Sequence, residues 1–437
     1  MQILRSLARS AGVALALAAV SGGAVAQSMS ASIDTPVTIK FYNYNLGSAG
    51  IGREATLEMI DAFQAANPMI TVEGVAVSSA EVMSRVQADV IAGQGPDIAQ
   101  IIFADLGYVV DNFGVPALED VVPAADLSQH LDGLFPRGVE LGRLDGRTYG
   151  LAYVFSTPVL FYNADLFRKA GLDPDAPPRT WEEVAAAAKA ITASTGQAGL
   201  LTGIFGPSAY DWLYQGFIRS NGGRVMSEDR TTMMFGAPEA VEALGVLRDI
   251  AKAGAMPNLP STSAIETMSS GNAGMYLQTS AVQGRMLKGA EGTFELRAAP
   301  MPTFGDKPAT PTNSGSALVI MTRDPLKQRA AWELMKHLTS DYGYTIITSK
   351  IGYVPLRENA VRSEEHLAGF LRENPVVQPN IDQLQSLVPW VPLPGPNYRQ
   401  ILTVMMNASE QAVFGAQDDI AAIMADAQAR AQALVPR

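Results

Sequence analysis

The alternation of apolar and polar positions in Val37-Thr-Ile-Lys-Phe-Tyr predicts a first β-strand. Asn43, Tyr44 and Asn45 then open a loop that carries Gly47, Gly50 and Gly52. From Glu54 to Ala66 the apolar positions fall at Leu57, Ile60 and Phe63, the spacing of an amphipathic helix, and Asn67-Pro68 ends it. Ile70-Thr-Val-Glu-Gly-Val-Ala-Val reads as a second strand, Ser79 to Ala92 as a second helix, and Ile98 to Phe103 as a third strand after the turn Gly-Gln-Gly-Pro-Asp. This β-α-β-α-β order predicts a mostly parallel sheet with helices on both faces.

The middle of the chain has the densest punctuation. Pro158 to Tyr162 is a short apolar run, read as a fully buried strand. Asn163 can start a one-turn helix and Gly171 can stop it, after which Pro174, Pro177 and Pro178 impose an extended loop. Thr180-Trp-Glu-Glu183 is a capping box, so a helix runs from Trp181 to about Ser194 and ends near Gly196. Further helices are expected at Ala237 to Lys252, Gln328 to Thr339 and Ile420 to Leu434, and a strand at Leu318 to Met321.

The segment STPVLFYNADLFRKAGLDPDAPPRTWEE resembles the crossing segment of family 1 extracellular solute-binding proteins of ABC importers, the maltose/glycerol-3-phosphate-binding type. The pattern LEMIDAFQAANPMITVEGVAV…IAGQGPDIAQI is similar to that family's first lobe, and RENP with the VPWVPLPG loop is similar to its glycerol-3-phosphate branch. The resemblance covers nearly the whole chain after the leader. It implies an α/β fold of two lobes, each a mostly parallel sheet flanked by helices, with three crossing segments forming a hinge. On that basis residues 27–155 and 313–351 form the first lobe, and 156–312 and 352–437 the second. The other crossings are expected at Asn313 to Ser316 and at Ile351 to Pro355.

Composition narrows the setting. Arg5 and Arg9, an apolar run from Ala11 to Val20 and Ala24-Val-Ala26 have the layout of a cleavable secretory signal over residues 1–26. The 437 residues include no cysteine, which removes disulfides, thiolate metal sites, thiol nucleophiles and a lipid-anchored cysteine at the cleavage site. The expected location is therefore free in a periplasm. A net charge of −11 disfavours nucleic acid as a partner. The expected partners are a small solute and an inner-membrane permease, with the protein itself a monomer that needs no cofactor and no metal.

Catalytic motifs are absent. His130, His337 and His366 lie far apart, and no nucleophile motif accompanies them. A ligand site between two α/β lobes would form at the carboxyl ends of the strands. Asn43, Tyr44 and Asn45 follow the first strand and suit a hydroxyl-rich ligand, the amides fixing hydroxyls and the ring covering an apolar sugar face. Tyr210, Asp211 and Trp212, with Trp390 in the Pro-rich loop from Val388 to Pro396, could supply stacking walls, whereas Trp181 and Trp332 sit on core-facing helix positions. The resemblance further implies ligand contacts at Ser156, Ser280, Gly315 and Tyr353, and a basic group at Arg399. The resemblance also implies ligand contacts at the glycerol or head-group end from Ser79, where the glycerol-3-phosphate branch has tyrosine, and Phe103, where it has glutamate, and at both positions this chain departs from the branch. The ligand is thus a carbohydrate, a polyol or a phosphoester, captured for import. The rival functions are a periplasmic hydrolase acting on a sugar or phosphodiester, and a receptor subunit that senses the solute.

Overall fold

A computed structural model describes residues 29–48, 50–205 and 210–436. The leader expected at 1–26 lies outside the described residues. Among the described residues there are eleven strands: β1 Val37–Asn43, β2 Ile70–Ala76, β3 Ile98–Ile102, β4 Arg143–Leu144, β5 Arg147–Thr148, β6 Leu151–Ser156, β7 Pro158–Asn163, β8 Ala198–Thr202, β9 Ala273–Thr279, β10 Leu296–Ala299 and β11 Ser314–Ile320. They form a five-stranded sheet in the order β2-β1-β3-β11-β6, a four-stranded sheet in the order β10-β7-β9-β8, and the small hairpin β4-β5.

Each large sheet contains one strand that opposes the rest. In the first sheet β11 is antiparallel to both neighbours, while β1, β2 and β3 run parallel. In the second, β7 is antiparallel to β10 and to β9, and β8 runs parallel to β9. These two strands are the ones by which the chain arrives from the other lobe. Only Thr157 separates the end of β6 at Ser156 from the start of β7 at Pro158, and β10 of the second sheet leads to β11 of the first. A strand entering from the cleft must begin where its neighbours end, so it runs against them. Both strands at the first crossing are buried along their whole length, which accounts for the unbroken apolar reading of Pro158–Asn163.

The local signals around that crossing are realised. The Asn163 side chain accepts from the amides of Asp165 and Leu166 at the start of the helix Ala164–Lys169. Thr180 and Glu183 make the reciprocal capping box of Trp181–Thr195, and Gly196 ends that helix in the left-handed region. Trp181 and Trp332 are fully buried, as expected of core positions.

Two expectations need correction. Residues 44–47 are not loop: Tyr44–Gly47 is one helical turn capped by Asn43, whose side chain accepts the Leu46 amide. Nor does the chain leave the first lobe at Gly352. Val354 donates its N–H to the carbonyl of Phe155, Phe135 donates to Leu356, and Glu358 donates to Gly133, so residues 354–358 stay against the first lobe. The chain reaches the second sheet only by Pro375–Val377, which pack on β10. Gly-Tyr-Val-Pro signals a break in regular structure, and a break does not say on which side the chain continues.

Candidate functional site

The carboxyl ends of the strands in both sheets face one cleft of about 270 Å³. From the first lobe, Tyr44 follows β1, Ser79 and Ala80 follow β2, and Ile102 closes β3. From the second, Gly203 and Phe205 follow β8, while Gln278 and Thr279 close β9. The floor is the hinge itself: Ser156 at the end of β6 lies in register with Ser314 at the start of β11, and Gly315 is next to it. None of the described residues lining the cleft carries a charged side chain.

The tyrosine on the first-lobe wall is held from behind. The Tyr44 amide donates to Gln100 Oε1 at 3.0 Å, and its hydroxyl donates to Ser316 Oγ at 3.1 Å. Gln100 Nε2 donates to the same Ser316 oxygen at 3.0 Å, so one buried hydroxyl ties Tyr44, just past β1, to β3 and β11 at the cleft. Tyr353 comes up beside Tyr44. Burial pushes the Tyr353 phenol up to about 12 and raises that of Tyr44 well above the ordinary phenol range, so both present neutral hydroxyls.

The opposite wall is aromatic. Tyr210 and Trp390 meet edge to face, with ring centroids 5.7 Å apart, and Trp212 lies beside them. The Pro-rich loop is pinned at two points. The Trp390 amide donates to Asn313 Oδ1 at 2.8 Å, and its indole Nε1 donates to Asp211 Oδ1 at 2.9 Å. The second oxygen of Asp211 accepts from Gln215 Nε2, which also donates to the carbonyl of Val391. Burial pushes the Asp211 carboxyl up to about 6, against the pull of these two donors.

Residues 58–369 match the bacterial extracellular solute-binding protein family. The chain belongs to that family. The curated sn-glycerol-3-phosphate-binding periplasmic protein UgpB of Brucella melitensis is 27% identical over 363 residues, covering 78% of this chain and 80% of the relative. UgpB of Rhizobium meliloti is 27% identical over 341 residues, covering 74% of this chain and 77% of the relative. Among solved structures, UgpB from Mycobacterium tuberculosis in complex with glycerophosphocholine superimposes with a TM-score of 0.79 at 20% identity, covering 91% of this chain and 98% of that one. The cyclic alpha-maltosyl-1,6-maltose binding protein from Arthrobacter globiformis superimposes with a TM-score of 0.76 at 21% identity, with 91% and 98% covered.

In this solute-binding protein Tyr44, Ser79, Ser156, Tyr210, Trp212, Gly315, Tyr353 and Trp390 all line the cleft, as the sequence led us to expect. The other six candidates do not, for different reasons. Asn43 and Asn45 are buried; Asn43 spends its oxygen on the helical cap. Phe103 is turned into the first-lobe core, and its neighbour Ile102 takes the wall. Asp211 is buried behind Trp390. Ser280 is buried between the lining residues Thr279 and Ala281, with a hydroxyl that has no hydrogen-bond partner. Arg399 sits against Tyr398 and Asp105 rather than in the cleft wall.

Phe205, Gln278 and Thr279 line the cleft but were not singled out from the sequence. The rule that loops after strands build the site would have found them, because each sits at or just past the carboxyl end of β8 or β9. Asp105 and Tyr398 carried no motif at all.

Proposed function

We propose that this protein is the periplasmic binding component of an ABC importer that captures a neutral, hydroxyl-rich solute, a carbohydrate or polyol, between its two lobes. The carrying observation is the cleft wall: aromatic faces at Tyr210, Trp212 and Trp390, hydroxyls at Tyr44, Ser79, Ser156 and Tyr353, an amide at Gln278, and no charged side chain among the described lining residues. Stacking faces with hydroxyl and amide partners satisfy both sides of a sugar ring. A buried phosphate would instead call for a cation or several convergent amides.

Lobe closure about the crossing segments would enclose the solute, and the closed form would dock on an inner-membrane permease. The leader sequence and the family both support export to the periplasm. A phosphoester is the second reading. It is supported by the names of the Brucella and Rhizobium relatives and by the unpaired Ser280 hydroxyl beside the first turn of a helix. A thermal-shift screen over sugars, polyols and phosphoesters tests the choice: stabilisation by a neutral solute supports the first reading, and stabilisation by phosphoesters alone refutes it.

A further inference from the structure

A charged contact joins the two lobes at the edge of the cleft. Asp105 lies in the first turn of the first-lobe helix Phe103–Phe113, and Tyr398 and Arg399 open the second-lobe helix Tyr398–Phe414. The Asp105 side chain is completely buried. One of its oxygens accepts the Tyr398 hydroxyl at 2.5 Å; the other is 3.6 Å from Arg399 Nη2 and has no hydrogen-bond partner. Arg399 also donates from Nε to the Tyr398 hydroxyl at 3.0 Å and lies over that ring. Burial pushes the Asp105 carboxyl up, while Tyr398 and Arg399 pull it back. Burial alone would lower the Arg399 guanidinium, but Asp105 and Tyr398 more than reverse it. Tyr210, which lines the cleft, lies within the field of both charges.

The cation behind the Tyr210 wall is therefore already matched with a carboxylate. An anionic solute that recruited Arg399 would leave Asp105 buried with its charge uncompensated, which is costly. A neutral solute makes no such demand. We propose that Asp105 determines charge selectivity: by engaging Arg399 across the interlobe boundary, it keeps the cleft closed to phosphoesters and other anionic solutes. Because the two partners belong to different lobes, the filter acts in the arrangement where the lobes meet at this edge.

This inference rests on the proposed neutral-solute reading, and the test separates the two. Binding is measured by calorimetry at 20 and 300 mM NaCl with paired probes, glucose and glucose 1-phosphate, glycerol and glycerol 3-phosphate, on the full mature chain. Asp105→Asn keeps the shape and an oxygen for Tyr398, and Asp105→Ala is the second variant. The expected result is at least a tenfold gain in affinity for a phosphorylated probe relative to its neutral partner. That gain should shrink at high salt and vanish when Arg399→Gln is added. A merely structural role would weaken both members of a pair alike. If either folded variant shows no relative gain for any phosphorylated probe, the selectivity role is overturned. A wild-type protein that already prefers the phosphorylated probes would refute the neutral-solute reading, whatever the variants do.

Discussion

The indole Nε1 of Trp390 donates to the buried carboxylate of Asp211 at 2.9 Å. Asp211 immediately precedes Trp212, the first residue of the helix Trp212–Ser220, so one carboxylate sets two aromatic residues of the cleft wall. Trp390 belongs to a loop that pairs with the second crossing through the bridge of Val388 to Thr312. The stacking wall is thus anchored to the hinge on one side and to the second lobe on the other.

For a neutral solute, Trp390→Ala should cost about 2 kcal/mol or more of binding free energy, the scale of a buried aromatic anchor. Arg399→Gln should cost less than about 1 kcal/mol, since its partly exposed guanidinium is engaged elsewhere. Calorimetry with the best solute of the screen measures both. A larger loss at Arg399 than at Trp390 would place the ligand's main contact at the cation.

Asp211 should also mark the pH dependence of stability. Its folded-state carboxyl is pushed up to about 6 by burial, above the ordinary carboxylate range. Between about pH 4 and 6 the folded protein then holds a proton that the unfolded chain has lost, so the contribution of Asp211 to stability falls as pH rises through that window. Asn does not titrate. The stability of Asp211→Asn relative to wild type should therefore rise by roughly 2–3 kcal/mol from pH 4 to pH 7, at about 1.4 kcal/mol per pH unit. Urea denaturation at several pH values gives this difference, and parallel curves for the two proteins would contradict it.

Gly315 is a position where the hinge needs glycine. Its φ of 123° lies in the region that L side chains avoid, and a Cβ there would fall 2.0 Å from the carbonyl oxygen of Val154 on β6. Gly315→Ala should destabilise by at least about 1–3 kcal/mol, the cost of a strained backbone before any clash. Gly245, inside the helix Pro238–Lys252, has nothing within 4 Å of the Cβ position, so Gly245→Ala should stabilise by about 0.5–1 kcal/mol. Thermal unfolding of the two variants should shift Tm in opposite directions; shifts of the same sign would contradict this reading of the crossing.

The parts of the fold visible in the sequence are those whose cause is local. The capping box at Thr180, the Asn163 cap and the stop at Gly196 each depend on residues within a few positions of one another. Cleft residues at strand ends, such as Tyr44 and Ser156, were accessible because strand order and the carboxyl-end rule place them without any knowledge of packing. What escaped depends on partners far apart in the chain. Asn43 looked like a ligand residue, but its oxygen caps a turn; Arg399 looked like an anion site, but Asp105, 294 positions earlier, meets it across the lobes. The third crossing was misplaced for the same reason: Leu356 and Glu358 pair with Phe135 and Gly133, and nothing near Gly352 reports that.

The most direct measurement is calorimetric titration of the wild-type protein with the tightest solute from the screen, at 20 and 300 mM NaCl. A cleft wall with no charged side chain among its described lining residues predicts a neutral carbohydrate or polyol whose affinity changes by less than about twofold between the two salts, because the solute makes no ion pair for salt to screen. A tightest ligand that is a phosphoester, bound tenfold or more weakly at high salt, would contradict it.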